Sequence, residues 1–116
     1  MVYDLIILGA GAAGLTASIY ASRYKINHLV FGEKPGGQIA DAHLIENYPG
    51  FQSITGVEST QKFFDHAQSY GVEVVPEGVG KLGIVASSAT RRGGGLGELG
   101  DLSDPPLFEL ATKTGK

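Results

Sequence analysis

Leu5-Ile6-Ile7-Leu8-Gly9-Ala10-Gly11-Ala12-Ala13-Gly14 is the stretch on which the reading of this chain turns. Its first half belongs to a short apolar run that predicts a strand over Tyr3 to Leu8, buried on both faces as in a parallel sheet. Its second half spaces three glycines as G-x-G-x-x-G. That spacing alone is weak, because many chains carry it by chance. Its position directly after a strand and at the opening of a helix gives it content. There Gly9 makes the tight turn, Gly11 lets a pyrophosphate approach the backbone, and Gly14 lets the helix lie close on the strand. The helix start, at Ala12 and Ala13, adds unpaired N–H groups and the positive end of the helix dipole.

Working outward, the period becomes helical from Ala12 to Tyr24. Ala13, Ala17, Tyr20, Ala21 and Tyr24 are expected to form the face laid on the sheet. Asn27 to Phe31 resumes strand character and completes a βαβ unit of about 30 residues. Glu33 stands nineteen positions after Gly14, where a carboxylate accepts from ribose hydroxyls and disfavours a 2′-phosphate. Lys34, next to it, is a candidate contact, although a lysine in such a place is more often simply solvated.

Gly32 to Phe51 shows little periodicity and is expected to be a long, ordered, functional loop. Thr55 and Glu58 have capping-box spacing, and open a second helix with Phe63, Ala67 and Tyr70 inward and Gly71 as its stop. Val72 to Val75 predicts a third strand. Beyond Pro76, Lys81 to Ala86 and Leu107 to Thr112 are expected to pair as an antiparallel hairpin. Between them, Ser87 to Pro106 is rich in Gly, Ser and Pro, a composition that favours a flexible loop. The expected organisation is one partial domain over 1–116, with a Rossmann-like core at 1–76 and a meander hairpin at 77–116.

Two further motifs narrow the choice of ligand: Gly36-Gly37-Gln38-Ile39 and Glu46-Asn47-Tyr48-Pro49-Gly50. With the glycine fingerprint, they make the chain similar to the thioredoxin reductases of low molecular weight, in the N-terminal FAD-binding segment of that family. The resemblance runs from Tyr3 to about Val75 and returns faintly at Phe108 to Lys116. It implies an α/β fold, a Rossmann-like FAD/NAD(P)-binding domain with a mainly parallel sheet and flanking helices, incomplete here, plus a small antiparallel hairpin. It also implies FAD as cofactor, with Gly36, Gly37 and Gln38 beyond the pyrophosphate and Asn47 near the flavin ring. Paired glycines admit the cofactor without Cβ clashes, and amides donate and accept at a polar ring edge. Pro49-Gly50 suits the centre of a type II turn. The chain departs from the family pattern at Ala12-Ala13, where Pro-Ala is usual, and at Pro35, directly before the glycine pair.

The implied activity is that of an NADPH-dependent flavoprotein disulfide reductase, with NADPH and thioredoxin or a similar disulfide protein as partners; an exposed sheet edge would separately allow a homodimer. This chain supplies neither the redox disulfide nor the NADPH domain, so it is expected to be the cofactor half and to hold flavin poorly alone. The alternatives are a stand-alone FAD- or ADP-binding module and a non-functional truncated remnant. No residue is assigned a catalytic role.

Composition bounds the rest. A net charge of −3 with no basic stripe argues against nucleic acid. No run approaches the roughly 20 apolar residues of a membrane span, and no signal peptide is evident, so a cytoplasmic location is expected. The absence of cysteine removes disulfides, thiolate metal sites and thiol catalysis from this chain. His28, His43 and His66 share no metal-ligand spacing.

Overall fold

The computed structural model describes residues 2–85 and 107–112, which belong to two compact units, Met1–Gly78 and Val79–Lys116. The first unit runs β1 (Leu5–Leu8), α1 (Ala12–Arg23), β2 (His28–Phe31), a short 3-10 helix (Gly37–Asp41), α2 (Gly56–Ser69) and β3 (Val74–Val75). All its strands are parallel, in the order β1-β2-β3. This is one half of a doubly wound sheet, with each strand-to-strand connection carrying a helix. The expected α/β, Rossmann-like class is therefore the observed one.

Register explains the core. Ile7, Val30 and Val74 lie side by side across the three strands, and α1 and α2 bring Leu15, Ile19, Phe63, Phe64 and Ala67 to the same apolar cluster. Leu15 and Val30 are fully buried, and such a side chain stabilises by about 1.5–3 kcal/mol relative to exposure. Both helices thus meet the face of the sheet that carries Val30. Among the described residues the first unit is therefore two layers, a sheet and the helices on one of its faces.

Two sequence expectations change here. The strand at Leu5–Leu8 is not buried on both faces: it lies at the edge of the described sheet, and Leu8 is 51% exposed. The inward face of α1 is Leu15, Ser18 and Ala21, whereas Tyr20 is 59% and Tyr24 76% exposed. Of the residues expected inward, only Ala21 is buried. The rotation follows from Gly14, which sits so tightly on the Gly9 carbonyl that the residues following it on that side of the helix turn inward. Ser18 tolerates burial because its hydroxyl donates to the Leu15 carbonyl at 2.7 Å.

α2 begins as the sequence predicts. The Thr55 hydroxyl accepts from the Glu58 N–H at 3.2 Å, and the Glu58 carboxylate accepts from the Thr55 N–H at 3.2 Å. Gly71 takes φ +74 just past the helix end, the left-handed conformation a glycine stop supplies. Tyr70, expected inward, is exposed and instead accepts a hydrogen bond from Arg23 on α1. The Thr55 backbone N–H, then its hydroxyl, hold the Glu58 carboxyl below its ordinary value, with Lys62 helping and desolvation opposing. A depressed folded-state value means that this contribution is present above the ordinary carboxylate range and is lost as pH falls through the lowered value. Thr55→Ala is expected to cost about 1 kcal/mol in a urea melt at neutral pH, with a smaller difference from the parent chain at acid pH.

The second unit contributes β4 (Val79–Val85) and β5 (Leu107–Thr112), an antiparallel pair with Leu82 opposite Leu110 and an irregularity between Val79 and Lys81. The expected hairpin is present. The expected flexible loop at 87–106 lies outside the described residues.

Candidate functional site

The site is assembled at the point where β1 hands over to α1. Gly9 takes φ +121, a conformation only glycine adopts without strain, and its N–H donates to the Phe31 carbonyl at 2.7 Å. Gly14 then meets the same turn: a Cβ there would stand 1.8 Å from the Gly9 oxygen. Gly11 is different. A Cβ built on it meets nothing nearer than the Gly36 oxygen at 3.8 Å, an ordinary contact, so protein packing does not require glycine at this position. Gly11 also serves as the N-cap of α1 with no side-chain cap, and no acidic residue occupies the first turn. The first-turn N–H groups of a helix have no intrahelical acceptors. An uncapped helix start beside a glycine with room above it fits a pyrophosphate.

The second glycine motif closes on the first. The N–H of Gly37 donates to the Lys34 carbonyl at 3.0 Å across Pro35 and Gly36, and Gly36 has φ +83 and ψ −10. That is a type II turn with proline in the position it favours, so Pro35 builds the turn that presents the glycine pair. The N–H of Gly36 donates to the Ala10 carbonyl at 3.0 Å, and a Cβ on Gly37 would approach Gly11 Cα to 3.3 Å. Gly9, Gly11, Ala12, Ala13, Gly14, Gly36 and Gly37 therefore converge on one place.

The remaining candidates divide. Glu33 is exposed just beyond β2. Lys34 is paired with Asp41, an exposed ion pair that straps the 3-10 helix back onto the turn. Gln38 is exposed in the first turn of that helix, and Asn47 is exposed in the loop that follows. An isolated bridge between Ile45 and Ile54 closes this loop. The Phe51 N–H donates to the Tyr48 carbonyl at 3.2 Å, and Gly50 has φ +101, the geometry expected of Pro49-Gly50. Tyr48 packs its ring on Phe63 of α2 at 5.7 Å, which fixes the loop to the scaffold. The long loop is thus ordered by two turns, a 3-10 helix and an aromatic anchor.

Sequence reasoning passed over three residues that hold the site together. Gly32 closes on Ala10, where its Cβ would lie 2.3 Å from that of Ala10. Gly56 would collide with the carbonyls of Ile39 and Ala42 at 2.1 and 2.5 Å. Thr60 lies against Gly36. The available signal was a glycine at the first position of a helix, where most residues would form helix better. Among the described residues no helix is long and apolar enough to cross a membrane, and no three His, Asp or Glu residues gather as metal ligands.

The fold and this turn define a Rossmann-like α/β segment of the FAD/NAD(P)-binding class. No family model matches the chain. The chain resembles the N-terminal FAD-binding segment of the thioredoxin reductases. It is 49% identical over 73 residues to thioredoxin reductase of Bacillus subtilis, a match covering 62% of this chain and 23% of that protein. Lactococcus lactis thioredoxin reductase superposes with a TM-score of 0.67 at 35% identity, over 70% of this chain and 27% of that one. The atypical thioredoxin reductase TRi of Desulfovibrio vulgaris Hildenborough superposes with a TM-score of 0.74 at 29% identity, over 98% of this chain and 32% of that one. The chain thus spans between 23% and 32% of the length of these relatives.

Proposed function

We propose that this chain is the FAD-binding portion of an NADPH-dependent flavoprotein disulfide reductase. The observation that supports it most is the convergence of Gly11 and Gly37 at an uncapped helix start, in a chain that resembles thioredoxin reductases. Gly9 to Gly14 would hold the pyrophosphate through backbone N–H groups and Glu33 the adenosine ribose. Gly36, Gly37 and Gln38 would line the cofactor beyond the pyrophosphate, with Lys34 at the margin and Asn47 nearer the ring. Bound FAD would supply the two-electron chemistry, and these residues bind and orient it.

The chain has no cysteine, so thiol exchange with thioredoxin or a similar partner needs residues outside it. NADPH likewise needs a second site, and a cytoplasmic location and a homodimer accompany this reading.

If the ADP half is what the chain grips, ADP displaces bound FAD in a fluorescence titration whereas FMN, which lacks adenosine, does not. Glu33→Ala is expected to weaken both FAD and ADP about tenfold, the loss of one charge-assisted hydrogen-bonded contact. Equal competition by FMN would remove the adenosine from the account.

A further inference from the structure

α2 does more than cover the sheet: it meets the turn that carries the second glycine motif. Gly56 and Thr60 are four residues apart and so share one face of the helix. On that face the Gly56 N–H donates to the Ala42 carbonyl at 2.9 Å, and Gly56 leaves no room for a Cβ against Ile39 and Ala42. One turn further on, a Cβ on Gly36 would lie 2.1 Å from Thr60 Cγ2 and 2.6 Å from its Oγ1. Thr60 therefore occupies the volume that a side chain at position 36 would need.

Its hydroxyl is the unusual feature. Thr60 is only 8% exposed, and Oγ1 is buried with no hydrogen-bond partner. A valine would fill the same shape without the cost of a buried, unpaired hydroxyl. The Gly36 turn stands beside that hydroxyl; its Gly36 and Gly37 N–H groups already donate to the Ala10 and Lys34 carbonyls, so what the turn offers the hydroxyl is a carbonyl acceptor. A small shift of that turn would give Oγ1 a partner, and the turn borders the proposed pyrophosphate site.

We propose that Thr60 is a positioning residue for the cofactor: its hydroxyl hydrogen-bonds the Gly36–Gly37 turn when the dinucleotide site is filled. The proposal rests on the FAD-binding reading. Free chain and bound chain then differ in one hydrogen bond, and the ligand is favoured by that difference. The stabilisation is withheld in the free chain and returned on binding.

The test uses the full chain as parent, Thr60→Val and Thr60→Ser, with thermal melts and amide-shift titrations against FAD and ADP on nitrogen-labelled protein. Thr60→Val is expected to melt a few degrees higher, because it removes the unpaired hydroxyl. It is also expected to bind about tenfold more weakly, because it removes the bond made in the complex. Thr60→Ser is expected to melt lower through loss of Cγ2, yet to keep parental affinity within about threefold. Opposite signs of stability and affinity in one variant are not produced by simple loosening of the fold.

A Thr60→Val chain that binds as tightly as the parent overturns the proposal. So does one that melts lower, since its hydroxyl would already be bonded in the free chain. A parent chain that binds neither FAD nor ADP overturns the FAD-binding reading and this proposal with it, an outcome distinct from parent binding that the valine leaves unchanged.

Discussion

Gly14→Ala is expected to be the most destabilising single methyl group that can be added to the first turn of α1. Helix propensity alone predicts the reverse, because alanine is favoured over glycine by about 1 kcal/mol in a helix. Sterics outweigh that gain. The new Cβ would stand 1.8 Å from the Gly9 oxygen and 2.9 Å from its carbonyl carbon, both backbone atoms, and 3.3 Å from Ile7 Cγ2. The obstacle is not the end of a flexible side chain, so either the strand–helix turn must open or α1 must lift. Overpacking a core costs about 1–3 kcal/mol where side chains can adjust; here the net loss should be about 3 kcal/mol or more, a large part of a small domain's stability. Urea denaturation followed by helix circular dichroism measures it. A midpoint equal to that of the parent chain would mean that the helix does not rest on Gly9.

Gly11→Ala, three residues earlier, should do the opposite. The position is extended, with φ −88 and ψ −169, which alanine adopts freely. The nearest atoms to the new Cβ, at 3.8 and 3.9 Å, are in ordinary contact. Loss of glycine from the N-cap is partly offset by the reduced entropy of the unfolded chain, so stability should change by no more than about 1 kcal/mol. The methyl group would nevertheless stand where, on the proposed reading, the pyrophosphate approaches the backbone. FAD affinity should fall by about a hundredfold or more, roughly 2.7 kcal/mol. The two substitutions add the same atom to the same motif and separate its roles: Gly14 serves packing, and Gly11, on the proposed reading, would serve the ligand.

The packing role of Gly14 was legible in the sequence because the fingerprint assigns that glycine a close helix–strand contact from its place in the motif. The capping box and the Pro49-Gly50 turn were legible for a similar reason, since each is set by neighbours within four residues. The inward face of α1 was not. Its alanines and tyrosines offer one helical stripe and Leu15, Ser18, Ala21 another, and the choice depends on the contact of Gly14 with Gly9 across the turn. The contact of Thr60 with Gly36 was hidden as well. Its partner Gly36 lies twenty-four residues earlier, and nothing in local periodicity joins a helix interior to a type II turn. Long-range contacts decided both cases, and local pattern is silent about them.

The proposed dinucleotide site lies at the start of α1. The most direct measurement is a titration of the nitrogen-labelled chain with FAD, following amide signals, beside the same titration of Gly11→Ala. Saturable shifts are expected in the parent chain, confined to Gly9–Gly14, Glu33, Lys34, Gly36–Gln38, Asn47 and Thr60. In the variant a folded spectrum that FAD leaves unmoved is expected. Shifts elsewhere in the chain, or equal shifts in the variant, would contradict the proposed site.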